Sequence, residues 1–195
     1  MARRALGLAA VLLFASACAS TTLAQVYKVP EAGPKPTKVL VVAVLPQETS
    51  RRIMETELAK RLRNRGLQAE LSTTLAPDGK TLDRAAVEEL VRREGFDAVV
   101  VSRYAGTQES TQYVSPSYSM GFYGYYGMAY SSAYSPGYVV ENQTVQVETL
   151  LYRTEGEGKL IWGAVSETFN PSNPQAAIQD VANAVTERMA SDKVI

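Results

Sequence analysis

Val39-Leu40-Val41-Val42-Ala43-Val44-Leu45 is an unbroken apolar run, rich in β-branched residues and ended by Pro46. Seven residues suit a strand better than a helix, and a run without alternation reads as a strand buried on both faces. Such a strand needs helices above and below it, so an α/β layer is expected around it. The sequence that follows fits. Met54, Leu58 and Leu62 recur at four-residue spacing with Ile53 and Ala59 beside them; Thr49 or Ser50 offers a cap, and Gly66 closes the helix. Leu67, Ala69 and Leu71 alternate with polar residues as a second strand, and Pro77-Asp78-Gly79 is turn chemistry. Asp83 can cap a second helix carrying Val87, Leu90 and Val91, ended by Gly95. Phe96 to Val101 is a further buried strand. Two strand–helix–strand passages in succession make the first three strands parallel.

Further along, Val145, Val147, Thr149 and Leu151 alternate, Glu155-Gly156-Glu157-Gly158 turns the chain, and Leu160, Trp162 and Ala164 alternate again as an antiparallel hairpin. Asn173-Pro174 opens a last helix with the stripe Ile178, Val181, Val185 and Met189, which is expected to dock on the sheet. The fold class is therefore α/β (α+β) over residues 38–190. It is a single mixed sheet of about five strands, β-α-β-α-β-β-β-α, with helices packed on it.

Strand, helix ending in Arg65-Gly66, strand, helix, Gly95-Phe96-Asp97-Ala98-Val99-Val100-Val101, hairpin, helix: this order resembles the amino-terminal domain of TolB. It also resembles the periplasmic domains of outer-membrane lipoproteins such as CsgG and LpoB. The shared features are the glycine before the strand with Asp97, the Leu150-Leu151-Tyr152 strand, and Gly158-Lys159-Leu160-Ile161-Trp162. The resemblance covers residues 38–190 and implies a non-catalytic protein that binds partners, scaffolds, or forms a pore.

The amino terminus supplies an address. Arg3 and Arg4 precede an apolar run from Ala5 to Phe14, too short to span about 30 Å of hydrocarbon but right for a secretory signal over residues 1–17. Ala15-Ser16-Ala17 before Cys18 looks like the lipobox of bacterial lipoproteins, and Cys18 is the only cysteine in the chain. An ordinary signal peptidase would also accept Ala15-Ser16-Ala17, or Thr22-Leu23-Ala24. Lipidation is the expectation, with a covalent diacylglycerol and an N-acyl chain on Cys18 and no other cofactor. Ala19, rather than an aspartate, follows the cysteine. In such lipoproteins that implies the outer membrane, with the domain facing the periplasm. Residues 18–37, with Pro30, Pro34 and Pro36, read as the lipidated cysteine and a flexible tether.

Between the third and fourth strands the composition changes. Residues 110–140 carry no charge, and residues 113–138 hold eight of the eleven tyrosines with six serines and four glycines. Three readings stand: a solvated or disordered loop, a partner- or glycan-binding surface, and a membrane contact. The candidate contact residues are Tyr118, Phe122, Tyr123, Tyr125, Tyr126, Tyr130 and Tyr134.

Several chemistries are excluded. The chain has no histidine, so Ser-His-Asp and Cys-His catalysis and the usual zinc and copper sites cannot be assembled. Gly79-Lys80-Thr81 echoes the end of a phosphate loop, but Thr74 stands where its leading glycine belongs. Glu141, Glu148 and Glu167 read as a solvated strand face rather than a glycosidase pair. Arg51, Arg52, Lys60, Arg61, Arg63 and Arg65, interleaved with Glu48, Glu55 and Glu57, read as a solvated helix face. The chain carries 20 basic and 20 acidic residues; losing Arg3 and Arg4 leaves 18 against 20, a net charge of −2. That balance gives no reason to expect nucleic acid. The expected function is a non-catalytic envelope adaptor or scaffold, binding another envelope protein or peptidoglycan. The alternative is a CsgG-like oligomeric pore or secretion component that uses the uncharged insert.

Overall fold

A computed structural model of the chain describes residues 21–75, 83–114, 138–156 and 158–195. The apolar run becomes β2 (Lys38–Val44), with Val39, Leu40 and Val41 fully buried, as a strand covered on both faces should be. α1 (Glu48–Arg63), β3 (Gln68–Leu71), the single turn α2 (Ser72–Leu75) and α3 (Arg84–Glu94) follow. β4 (Ala98–Val114), β5 (Tyr138–Arg153), β6 (Lys159–Phe169) and α4 (Pro174–Ser191) complete the expected order.

One element precedes them all. Thr21–Lys28 forms β1, antiparallel to β6, giving a six-stranded sheet in the order β1-β6-β5-β4-β2-β3. β2, β3 and β4 are parallel, and the remaining pairings are antiparallel. The tether over residues 18–37 is thus corrected: from Thr21 onward it belongs to the domain. The reason it escaped the sequence pattern is a bulge between Leu23 and Gln25. The extra residue puts Leu23 and Val26 on the same face although they are three apart, so the two-residue period is lost while both still pack on the core. The segment after β1 is tied down too: Val29 N–H donates to Ile161 O (3.1 Å), and Arg153 Nε donates to Ala32 O (3.0 Å). At the other end Val194 and Ile195 are buried, so the domain also runs past residue 190.

α1 and α4 lie side by side on one face. Met54, Leu58 and Leu62 meet Ile178, Val181, Val185 and Met189 over Val39, Val41, Val100, Leu151 and Trp162. α3 covers part of the other face with Leu90, beside Leu40, Val42, Phe96 and Val99. Gly66 and Gly95 follow α1 and α3 with φ of +88° and +67°, the left-handed conformation that glycine adopts without a Cβ penalty. Asp83 and Asn173 cap their helices as expected, accepting from Ala86 N–H and Ala176 N–H at 2.8 Å. α1 differs: Gln47 is its N-cap, with no side-chain capping bond, and neither Thr49 nor Ser50 takes that role.

The solvated face expected of α1 is only partly one. Arg51 is 7% exposed and Glu55 is fully buried. The β2–β3 ladder ends at Val41 and Leu71, where the chain turns into α2. Beyond it the Glu55 carboxylate accepts from Ala43 N–H (3.0 Å), Ser72 Oγ (2.7 Å), Thr73 N–H (2.9 Å) and Thr73 Oγ1 (2.7 Å). It does for Ala43 what a neighbouring strand would have done.

Asp97, singled out by the resemblance, proves to be a clamp. Its Oδ2 accepts from Thr37 N–H (2.8 Å) and Thr37 Oγ1 (2.6 Å), and its Oδ1 from Lys38 N–H (3.1 Å). Its own backbone bonds Lys38 O and Thr154 N–H, so it joins the ends of β2, β4 and β5.

Candidate functional site

Two features stand out at one end of the sheet. The first is a groove of about 430 Å³ where β2 ends and α1 and α4 begin. Leu45, Pro46, Met54, Val145, Ile178 and Val181 make its apolar walls, and no Asp, Glu, Lys or Arg lines it. Gln47, Ser50, Gln143, Thr168, Ser172 and Asn173 supply the polar groups, with Tyr104 beside them. The groove forms because β2 stops at Val44, just before Leu45 and Pro46, Pro174 starts α4 at its first turn, and small Ala177 faces the gap.

The second feature is a ribbon. β4 and β5 stay paired from Ala98↔Arg153 to Val114↔Tyr138, interrupted once by a bulge between Tyr104 and Gly106. β2 leaves β4 at Arg103, and β6 leaves β5 at Thr144, with Asn170 adding hydrogen bonds to Gln143. Past Asn142 the two strands have no other strand beside them among the described residues. Ser110, Thr111 and Glu141 are exposed there, as are Thr107, Gln108 and Glu109 just before it on β4.

The ribbon carries residues 115–137 between its ends. Tyr118, Phe122, Tyr123, Tyr125, Tyr126, Tyr130 and Tyr134 lie outside the described residues, as do residues 1–17, Cys18 and Pro77-Asp78-Gly79. The strands themselves are longer than expected and take in both edges of the uncharged stretch.

Two of the three carboxylates weighed for hydrolysis are engaged by a neighbour. Glu148 accepts from Arg103 Nε (2.6 Å) and Glu167 from Gln146 Nε2 (2.9 Å), while Glu141 stands on the ribbon opposite Thr111. Of the α1 cations, Arg52 pairs with Glu48 (2.9 Å), Arg63 with Glu70 (3.6 Å) and Arg61 with Glu57; Arg61 also reaches Gln179 O on α4 (3.3 Å). Among the described residues no cluster of three or more Cys, Asp or Glu could hold a metal ion, and no helix is long and apolar enough to cross a membrane.

A buried hydrogen bond ties the far end of the core. Trp162 is fully buried and its indole N–H donates to Asp192 Oδ2 at 2.8 Å, which Arg188 Nε also reaches at 3.0 Å. Burial pushes the Asp192 carboxyl up, but the Trp162 and Arg188 hydrogen bonds and the Arg188 and Lys28 charges together hold it below its ordinary 3.8.

No family model matches the chain, and no curated protein matches it in sequence. Among solved structures it is similar to the PelC dodecamer from Paraburkholderia phytofirmans, at 15% identity and a TM-score of 0.49, over 86% of this chain and 96% of that one. It is also similar to lipoprotein GNA1162 from Neisseria meningitidis (18%, 0.45, 80% of this chain and 99% of that one). A minor lipoprotein from Acinetobacter baumannii follows (12%, 0.32, 80% and 94%).

Proposed function

We propose that the chain is a non-catalytic, lipid-anchored protein of the outer membrane. Its α/β domain is an adaptor that binds another envelope protein in the groove between α1, α4 and the sheet. The observation that carries the reading is the lining of that groove. Apolar walls with a few hydrogen-bonding groups and no charge suit an apolar peptide segment. A peptidoglycan strand would call for more polar groups than these walls offer. Cys18, three residues before the described part of the domain, supplies the membrane address. Acyl chains there, at about 0.8 kcal/mol per buried methylene, would hold the domain stably at the bilayer.

A photo-crosslinking residue at Tyr104, on the groove, tests this in intact cells against the same residue at exposed Glu187 on α4. The expected result is one discrete envelope-protein product from position 104 and none from 187, lost when Ser50→Arg and Gln143→Arg fill the groove. Identical products from both positions, or a product insensitive to those substitutions, would refute the groove as the binding site. The pore alternative predicts a ring, which detergent-extracted mass would show. The polar run Thr107–Thr111 does not alternate as a spanning strand of about 9–11 residues must, which favours the adaptor.

A further inference from the structure

Where β2 stops, its neighbour continues. β2 leaves β4 at the Val44↔Arg103 pair, while β4 runs on to Val114 with β5 on one side only. Every second residue of a strand turns its N–H and C=O towards the same neighbour. Past Arg103, the β4 groups on the β2 side therefore meet no strand among the described residues, which makes them a template for another strand. The bulge between Tyr104 and Gly106 lies at the base of this edge, and from Gly106 to Val114 the ladder with β5 is unbroken. Those residues span about 30 Å at roughly 3.4 Å each.

The outer edge of β5 is treated differently. Asn170, just after β6, donates its N–H to Gln143 O and accepts from Gln143 N–H at Oδ1, both at 2.8 Å. One residue thus takes the place that β6 has left. On β4 the Tyr104 and Thr107 hydroxyls bond each other across the bulge (2.8 Å), and Thr107 to Thr111 are exposed. The longer open edge is the one on β4.

This edge adjoins the groove. Gln143 and Val145 line the groove, Glu109 and Thr107 stand opposite them, and Glu141 stands opposite Thr111. Residues directly opposite each other share a face, so Glu109 and Glu141 stand on the groove's face, beyond its uncharged walls. Neither strand carries a Lys or Arg between Arg103 and Arg153. Two copies of this edge, paired antiparallel at full overlap, would set the two Glu109 side chains at diagonal positions on one face. Like charges so placed oppose pairing, so the edge disfavours its own copy and suits a basic strand.

We propose that the segment bound in the groove, on the reading given above, continues from it as an extended strand added to β4 along Thr107–Val114, with a Lys or Arg beside Glu109. The β4 main chain supplies the pairing, the groove holds an apolar anchor, and Glu109 and Glu141 select the charge.

Two synthetic peptides serve as probes: Leu-Val-Leu followed by alternating Thr and Lys, and its counterpart with Glu in place of Lys. In full-length protein the lysine peptide should slow amide hydrogen exchange across residues 104–114 several-fold, and the glutamate peptide should not. Glu109→Lys should reverse that preference, with fluorescence of Trp162 reporting that each variant is folded. Methylating the alternate peptide nitrogens that face β4 should abolish the protection, whereas methylating the other set should leave it. Equal protection by both peptides, or a preference unmoved by Glu109→Lys, overturns the charge selection. Protection indifferent to which nitrogens are methylated overturns the strand addition. No protection by the lysine peptide, in protein that still gives the crosslink at position 104, overturns the added strand and leaves the groove reading standing. Protection that survives Ser50→Arg overturns the groove as anchor and leaves the strand on β4.

Discussion

Glu55→Ala tests whether a buried carboxylate stands in for a missing strand. In the wild type four donors converge on Glu55: Ala43 N–H, Ser72 Oγ, Thr73 N–H and Thr73 Oγ1. The two hydroxyls can rotate towards other acceptors, but the two backbone N–H groups cannot, and Ala43 lies beyond the end of the β2–β3 ladder. An orphaned buried donor costs about 1–3 kcal/mol, so two cost about 4 before any cavity is counted. That is a large share of a total stability of about 5–15 kcal/mol. For a domain of this size each kcal/mol moves Tm by about 2–4 °C, so a fall of about 8–16 °C is expected. Glu55→Gln keeps the shape but must turn an NH₂ towards one pair of donors, and should fall between the two. The assay is urea and thermal unfolding followed by fluorescence of Trp162, the one tryptophan in the chain. A Glu55→Ala variant within about 1 kcal/mol of wild type would refute the role assigned to this carboxylate.

Other substitutions probe other links. Asp192→Asn should remove an acid-sensitive contribution. Because the folded carboxyl is held below 3.8, its contribution is full above that value and is lost as pH falls through the folded pKa, so the stability gap to wild type should shrink in acid; a gap independent of pH would contradict this. Val185→Asp would bury an unpaired carboxylate between α4 and the sheet and should cost several kcal/mol, read as a lowered Tm; an unchanged Tm would mean that α4 does not dock. Replacing residues 115–137 by a four-residue turn shortens the loop by about 2.5 doublings, and at about 0.6 kcal/mol each should stabilise the hairpin by about 1.5 kcal/mol in urea titration. Destabilisation would instead make those residues part of the core. Cys18→Ser should abolish palmitate incorporation and outer-membrane fractionation, and unchanged labelling would remove the anchor.

The core was legible where burial is written in a period. The stripes of α1 and α4 and the runs of β2 and β4 needed only spacing, and Ile178, Val181, Val185 and Met189 are all buried. The groove was not legible, because its walls come from Leu45 and Pro46 after β2 and from α1, β4, β5, β6 and α4, brought together by the sheet order rather than by neighbourhood in sequence. Glu55 was hidden for a related reason. On a helix crowded with charge nothing local distinguishes it from Glu57, and only the position of Ala43, Ser72 and Thr73 makes it a core residue. Asp97 was noticed through resemblance, and its three accepted hydrogen bonds give that resemblance a physical content.

The misread tether has the widest consequence. Proline content and lost alternation are sound grounds for expecting a flexible leader, but a single bulged residue removes alternation without removing a strand. A tether of nineteen residues would let the domain stand off by tens of ångströms and turn freely. A link of three residues allows about 10 Å and, with Cys18 acylated as proposed, would hold the corner of the sheet at Thr21 close to the bilayer. The same rise in local order that converts residues 21–28 from spacer to strand thus leaves three residue steps between the proposed anchor and the sheet. If residues 21–28 peeled away from β6, Leu23 and Val26 would leave the core. Val26→Asp should therefore lower Tm, by about 2–4 °C for each kcal/mol of stability lost, in thermal unfolding followed by Trp162 fluorescence. An unchanged Tm in that variant would show that β1 adds nothing to the core and that the segment is a spacer after all.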